Sequence, residues 1–152
     1  MKLPAQRMNE VVQQVEQEGV VACPAEAVWG LTCDPLSEDA VLQLLAMKHR
    51  PISKGLIIVA ASSAMLGPLL KPLDSAQRNE LELSWPGPNT WLVPNRGLYP
   101  DWITGESDEI AIRVTSAPAL ALLSYRLGRP VVSTSANPAG AQPARHSFQV
   151  VR

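Results

Sequence analysis

Apolar residues recur at intervals of three and four positions near the start of the sequence, and this spacing predicts an amphipathic helix. The helix is expected over residues 6–18, with Gly19 as its C-terminal cap. The same spacing predicts a second helix that begins after Ser37, whose hydroxyl can cap the first turn, and ends at Lys48. Each helix has one apolar face and therefore needs a core to pack against.

Short apolar runs predict buried strands between the helices. These runs are VVAC at 20–23, LIIVA at 56–60, TWLVP at 90–94, IAIRV at 110–114 followed by Thr115, and the start of PVVSTSAN from Pro130. Shorter helices are expected near residues 63–70 and 75–83. A longer helix is expected between Ser116, as its N-terminal cap, and Gly128.

Two segments are interpreted as loops because breaks and polar residues interrupt them. These are AEAVWGLTCDP at 25–35 and the polar stretch at 95–108. Strands that alternate with helices over 152 residues predict one α/β domain with a mixed sheet, whose strand order stays open.

Composition narrows the class of protein. The chain has 13 basic and 14 acidic residues, so no overall positive charge points to nucleic acid. Cys23 and Cys33 match neither a CxxC pair nor a zinc half-site, which favours two reduced thiols and a cytoplasmic protein. No apolar run is long enough for a membrane helix, and no cationic leader precedes an apolar segment, so no membrane association is expected.

The segment KHRPISKG, at 48–55, gathers Lys48, Arg50 and Lys54 without an acid among them. Because neighbouring positive charges repel, they need either an anion or free access to water. The segment joins a predicted helix to a buried strand at the edge of the core, where loops often carry function. A phosphate cradle and a solvated surface cluster both remain open.

A second group of polar residues lies near the predicted strand ends. Arg113 stands within an apolar strand, so it either meets an anion or points to water through period-two alternation. Ser133, Thr134, Ser135 and Asn137 offer groups suited to phosphate, sugar or amino-acid contacts. They also suit an ordinary turn.

These segments in this order resemble the YrdC/Sua5 family of threonylcarbamoyl-AMP synthases, most closely its short bacterial form. The resemblance covers residues 7–144 and rests on CPAEAVWGLTCDP, KHRPISKG with LIIVA, WPGPNT, IAIRV and STSANPAG. It implies a single-domain α/β fold of the YrdC/RibB-like type, with a twisted mixed sheet, flanking helices and a concave basic cavity. It also implies an ATP-dependent nucleotidyltransferase that converts L-threonine, bicarbonate or CO2 and ATP into threonylcarbamoyl-adenylate and pyrophosphate.

The resemblance implies roles for individual residues. Catalysis would be electrostatic, through Lys48, Arg50 and Lys54 on the ATP phosphates, without a covalent nucleophile and with Mg²⁺ accompanying ATP rather than held by the protein. Nucleotide contacts would come from Ser135 and Asn137, and threonine contacts from Arg113 and Ser133. Glu26 and Thr90 are weaker candidates, and neither His49 nor His146 is needed as a base.

The same resemblance implies a place in tRNA modification. The product would pass to a separate threonylcarbamoyl transferase complex that modifies adenosine 37 (t6A37), and direct contact with tRNA or double-stranded RNA stays open. Alternatives are a noncatalytic nucleotide- or tRNA-binding module and a structural partner of a modification complex.

The sequence departs from the family at two places. The family usually has a threonine residue at the position of Ala25, and its hydroxyl would help to bind the substrate. Affinity for the substrate L-threonine is therefore expected to be weakened. The family also continues past Arg152 with a further strand, so lower solubility or self-association is expected unless the sheet edge left by that strand is covered.

Overall fold

The computed structural model describes residues 4–136, in which a sheet of six strands is flanked by helices. The helices are α1 (Ala5–Glu16), α2 (Glu38–Lys48), α3 (Gly67–Leu70), α4 (Ser75–Leu83), α5 (Asp101–Thr104) and α6 (Pro118–Leu127), with short 3₁₀ turns at Ile52–Lys54 and Ser63–Leu66. The strands are β1 (Val21–Pro24), β2 (Trp29–Cys33), β3 (Ile57–Ala60), β4 (Trp91–Pro94), β5 (Glu109–Val114) and β6 (Val131–Ser135).

The strand order across the sheet is β1-β2-β6-β3-β5-β4. The last strand, β6, lies in the middle of the sheet and runs antiparallel to both β2 and β3. Strands β3 and β5 are parallel, with Val59 opposite Arg113. The order places the C-terminal half of β6 beside β2, and Ser135 lies opposite Gly30. It confirms the predicted α/β fold with a mixed sheet and flanking helices.

The sheet has helices on both faces because its central strands are apolar on both sides. Val59 and Val131 belong to a buried cluster with α1 and α6. Their chain neighbours Ile58 and Val132 point the other way, into a larger cluster that includes α2. Within residues 4–136, no helix has both the length and the apolar character that crossing a membrane requires.

The predicted cap of α2 is confirmed, since the hydroxyl of Ser37 accepts a hydrogen bond from the backbone N–H of Ala40 at 3.2 Å. The predicted cap of α6 is wrong. The N-cap is Ala117 rather than Ser116, because the residue before a proline favours an extended backbone and Pro118 starts the helix. The hydroxyl of Thr115 accepts from the N–H of Ala117 at 3.0 Å, which ties this corner to the end of β5.

The end of α1 also differs from its prediction. The helix ends at Glu16, and Glu18 rather than Gly19 takes the left-handed conformation, with φ of 62°. The N–H of Gly19 donates to the carbonyl of Gln14 at 2.8 Å, and a Cβ on Gly19 would stand 2.9 Å from that same oxygen. Glycine is therefore required at position 19 by a close approach to the helix rather than by a left-handed cap.

The interpretation of 25–35 as a loop is wrong, because this segment contains β2. All five residues of β2 are buried, so the strand lacks the alternation by which half-buried strands are recognised. Gly30 also resembles a break in the sequence, but a Cβ there would lie 3.2 Å from the hydroxyl of Ser133, so glycine lets β6 pack closely. The predicted loop at 95–108 contains α5, whose four residues are too few to show a helical period.

Candidate functional site

A cavity of about 390 Å³ lies where the turn before β2, the strands β5 and β6 and the segment after α2 meet. Its polar lining includes Glu26, Arg50, Arg113, Ser133, Thr134 and Ser135. Four residues that the sequence singled out, in three distant segments, are thereby brought together: Arg50, Arg113, Ser133 and Ser135. Among the described lining residues, two arginines face a single acid.

Arg113 reaches into this cavity rather than out to water, and its side chain is 15% exposed. Its Nη2 atom lies 3.6 Å from Oε2 of Glu26, which is an ion-pair contact longer than a hydrogen bond. Its Nε atom is buried and has no hydrogen-bond partner within residues 4–136. Because Nη2 makes no hydrogen bond to Glu26 and Arg113 lines the cavity, the guanidinium keeps donor capacity for a ligand, and a carboxylate matches its fork geometry.

Glu26 is a site residue that sequence reasoning placed outside the core of the site. Its side chain is 15% exposed, and its Oε1 atom accepts a 2.5 Å hydrogen bond from the hydroxyl of Thr115. The sequence carries one signal for it, because Glu26 is the only acidic or basic residue between Val20 and Cys33. Its partner could not have been found by local patterns, since Thr115 is 89 positions away in the chain.

Lys48 is buried at the end of α2, with a relative exposure of 3%. Its ammonium group donates to the backbone carbonyl of Ser135 at 2.6 Å and lies 3.5 Å from the hydroxyl of the same residue. Burial, and secondarily the charge of Arg50, lowers the pKa of Lys48 below its usual value. Lys48 thus connects the end of α2 to the end of β6 and places its positive charge next to the oxygens of Ser135.

The side chains of Arg50 and Lys54 have surroundings different from that of Lys48. The Nε and Nη2 atoms of Arg50 donate to the carbonyl of Gly55 at 3.2 and 3.1 Å, which closes the basic segment on itself. Arg50 also lines a second cavity of about 230 Å³, together with Lys54 and Glu109. The three cations therefore do not surround one point: Arg50 borders both cavities, Lys54 borders the second, and Lys48 contacts Ser135 instead.

Helix α5 and the residues that follow it hold the basic segment in place through backbone hydrogen bonds. The N–H of Glu106 donates to the carbonyl of Ser53 at 3.2 Å, and the N–H of Leu56 donates to the carbonyl of Ile103 at 2.8 Å. Gly105 has φ of 65°, and any Cβ on it would collide with the carbonyl of Ser53. Glycine at position 105 thus permits the contact that fixes the segment carrying Arg50.

The serine-rich segment is strand rather than turn as far as Ser135, because β6 pairs with β2 over Val132–Ser135. Ser133 is buried, and Thr134 and Ser135 are partly exposed along the cavity. Asn137 and His146 lie outside the described residues. Thr90 is exposed before β4, and His49 is the exposed C-cap of α2, with φ of 52°.

Cys23 and Cys33 are free and buried, which confirms that they do not form a bridge. Burial raises the pKa of each thiol to about 12, and for Cys33 the neighbouring charge of Asp34 adds to this effect. At pH 8 the thiolate fraction is then on the order of 10⁻⁴, and thiolate is the reactive form. Neither thiol is placed or ionised to act as a nucleophile.

We expect neither cysteine to react with a disulfide reagent such as DTNB at pH 8 in the native protein, and both to react in guanidinium chloride. The two thiols of the sequence make the endpoint a simple absorbance count. Stoichiometric reaction of the native protein within minutes would contradict the burial of these side chains.

Within residues 4–136, no group of three or more His, Cys, Asp or Glu side chains could hold a metal ion. Glu26 is the single acid of the described lining of the first cavity, and one of its two oxygens accepts a hydrogen bond from Thr115. Mg²⁺ needs no such cluster when a nucleotide is present, because it is usually bound by substrate phosphates together with one or two carboxylates. A magnesium ion here would fit as part of an MgATP substrate.

Comparison with known proteins gives consistent results for family and fold. A family model designated Sua5/YciO/YrdC, with the description "telomere recombination", matches residues 13–152. Proteins named threonylcarbamoyl-AMP synthase from Cellvibrio japonicus and Stutzerimonas stutzeri are 52% and 51% identical over 96% and 95% of this chain, which spans 77% of each. The Sua5 structure from P. abyssi complexed with L-threonine is 30% identical, with a TM-score of 0.88 over 99% of this chain and 44% of its own. The E. coli YciO structure, 22% identical with a TM-score of 0.84 over 99% of this chain and 73% of its own, supports the fold alone.

Proposed function

The chain belongs to the Sua5/YciO/YrdC family, and we propose that its first cavity joins L-threonine, bicarbonate and MgATP into threonylcarbamoyl-adenylate. Relatives that are about half identical over nearly the whole chain are named for this ATP-dependent activity. The reaction would be the first step of t6A formation in tRNA. The observation that carries the site assignment is the convergence of Arg50, Arg113 and the β6 serines on one cavity.

Threonine would bind at the end of the cavity formed by Arg113 and Ser133. Arg113 offers donors to the substrate carboxylate, and the buried hydroxyl of Ser133 lies on the neighbouring part of the lining. The P. abyssi relative was solved with L-threonine, which supports an amino acid as the ligand of this fold. Ala25 lines the same cavity but has no hydroxyl. We therefore assign to Ser133 the side-chain hydrogen bond with the substrate threonine.

MgATP would extend from Ser135 past Arg50 toward the second cavity. Arg50 lines both cavities, Lys54 lines the second, and Lys48 places its charge behind Ser135. Glu109 also lines the second cavity, so a polyphosphate there would need its magnesium ion to offset the repulsion. The predicted nucleotide contact of Asn137 remains part of this proposal.

The chemistry needs positioning and positive charge more than a nucleophile from the protein. The amino group of threonine takes up bicarbonate with loss of water to give a carbamate, whose oxygen then attacks the α-phosphorus and displaces pyrophosphate. Magnesium, bound through phosphate oxygens, would offset charge on the leaving pyrophosphate. The chain would hold threonine through Arg113 and the phosphates through Arg50 and Lys54.

The activity is tested by incubating the purified protein with ATP, Mg²⁺, L-threonine and ¹⁴C-bicarbonate. We expect labelled threonylcarbamoyl-adenylate and an equal amount of pyrophosphate, and neither without threonine. A protein with a native circular dichroism spectrum that forms neither product would overturn the proposal.

The same preparation distinguishes the two alternatives. A noncatalytic module would bind tRNA or double-stranded RNA saturably without turnover, with affinity that falls steeply as salt is raised. A structural partner would show neither turnover nor binding until a modification complex is reconstituted. We place the protein in the cytoplasm, where its product would be passed to a threonylcarbamoyl transferase complex.

A further inference from the structure

The acid Glu26 has a geometry that suits a ligand rather than a closed internal ion pair. Its carboxylate is fixed on one side by the 2.5 Å hydrogen bond from Thr115. The hydroxyl of Thr115 also accepts from the N–H of Ala117, so its own proton is directed to Glu26. The other oxygen stops 3.6 Å from Arg113, which leaves the two charges close but not joined by a hydrogen bond.

The charges of the Glu26–Arg113 pair are complementary to those of a free α-amino acid. In an amino acid the ammonium nitrogen and a carboxylate oxygen are held about 3 Å apart by covalent geometry. The corresponding separation in the pair is 3.6 Å, with the signs reversed, so an amino acid can lie alongside it with each of its charged groups opposite its complement. Glu26 is the single acid among the described residues of the cavity lining and therefore the natural partner for an ammonium group.

We propose that Glu26 binds the α-amino group of the substrate whose carboxylate binds Arg113, and that the cavity thereby selects free α-amino acids. The inference rests on the proposed function, because it takes threonine as the ligand. After carbamate formation the substrate nitrogen retains one N–H group, which can donate to the same oxygen of Glu26. Thr115 is a positioning residue that keeps Glu26 from collapsing onto Arg113.

The test compares L-threonine with 2,3-dihydroxybutanoate, in which a hydroxyl group replaces the α-amino group, by calorimetric titration. The proteins are the wild type, Glu26→Gln and the control Glu10→Gln, which removes an exposed carboxylate on α1. We expect Glu26→Gln to weaken threonine binding roughly tenfold to a hundredfold, the range for losing a hydrogen bond to a charged group. Affinity for the hydroxy acid should change less than about threefold, because it has no ammonium group to lose a partner.

Two results would overturn the inference. If Glu26→Gln binds threonine as tightly as the wild type or more tightly, Glu26 is only a counterion that competes for Arg113. If both ligands weaken by the same factor, Glu26 acts by orienting Arg113. Wild-type protein that forms product while Glu26→Gln keeps full threonine affinity contradicts this inference alone, whereas wild-type protein without threonine binding or turnover contradicts the proposed function.

Thr115→Val gives a second, nearly isosteric route to the same answer if Glu26→Gln does not fold. It removes the hydroxyl that fixes Glu26 but leaves the carboxylate in place. We expect the ratio of threonine to hydroxy-acid affinity to fall roughly threefold to tenfold, about the value of one net hydrogen bond. An unchanged ratio in a variant with a native circular dichroism spectrum would refute the positioning role.

Discussion

Replacing Arg113 by alanine is expected to raise the KM for threonine by roughly two orders of magnitude, while the KM for ATP changes less than about threefold. The expected loss is about 3 kcal/mol, as for removing a charged hydrogen-bond partner from a ligand carboxylate. Arg113 can have this effect because it lines the cavity and its Nη2 atom, 3.6 Å from Glu26, makes no hydrogen bond to that acid. Steady-state pyrophosphate release with each substrate varied in turn measures the two constants.

Two variants separate charge, geometry and nonspecific effects at this position. Arg113→Lys keeps the positive charge but loses the fork of donors, so its threonine KM should lie between those of the wild type and the alanine variant. Arg78→Ala removes an exposed arginine on α4 and should leave both constants unchanged. If Arg113→Ala raised the KM values for ATP and threonine equally, the assignment of Arg113 to threonine would be wrong.

Local signals in the sequence were sufficient for those elements that are stabilised locally. The cap at Ser37 and the apolar stripe of α2 belong to residues within one or two turns of each other, and both are confirmed. Strand β2 was missed because its burial comes from β1, β6 and the helices, none of which is visible in five residues. The role of Gly30 as a point of close packing is equally nonlocal.

The site follows the same division between local and long-range information. The chemistry of Arg113 and Ser133 made them candidates only, with exposure to water and an ordinary turn left open, and their assignment to a substrate came from the family resemblance. The strand order that brings β5 and β6 to one cavity could not be derived from the sequence. For the same reason, Glu26 gained a role only when its contacts with Thr115 and Arg113 were seen.

In the basic segment, closeness in the sequence did not predict the geometry. Three cations within seven positions suggested one cradle, but the helical period places Lys48 on the buried face of α2, one turn after Leu44. Beyond the helix end, Arg50 turns back onto Gly55, and Lys54 remains exposed in a 3₁₀ turn. Each charge thus has a different surrounding, and their contributions to ATP binding should differ.

Arg50→Ala is therefore expected to raise the KM for ATP roughly tenfold to a hundredfold and the KM for threonine less than about threefold. Arg50 lines both cavities, so its loss removes positive charge from the middle of the proposed phosphate path. The variant also leaves the carbonyl of Gly55 without its two donors, so part of the effect would come from a loosened segment. The two KM values, again from pyrophosphate release, provide the measurement.

Arg50→Lys separates the charge of this residue from its contact with Gly55. Lysine keeps the positive charge but cannot donate from two fixed nitrogens to one carbonyl, so a variant close to the wild type would mean that charge is the main contribution. A variant close to alanine would mean that closure of the segment matters more. Raised salt should weaken ATP binding by the wild type more than by Arg50→Ala, because screening acts only on charge that is present. Equal increases in both KM values for Arg50→Ala would contradict the division in which Arg50 serves ATP and Arg113 serves threonine.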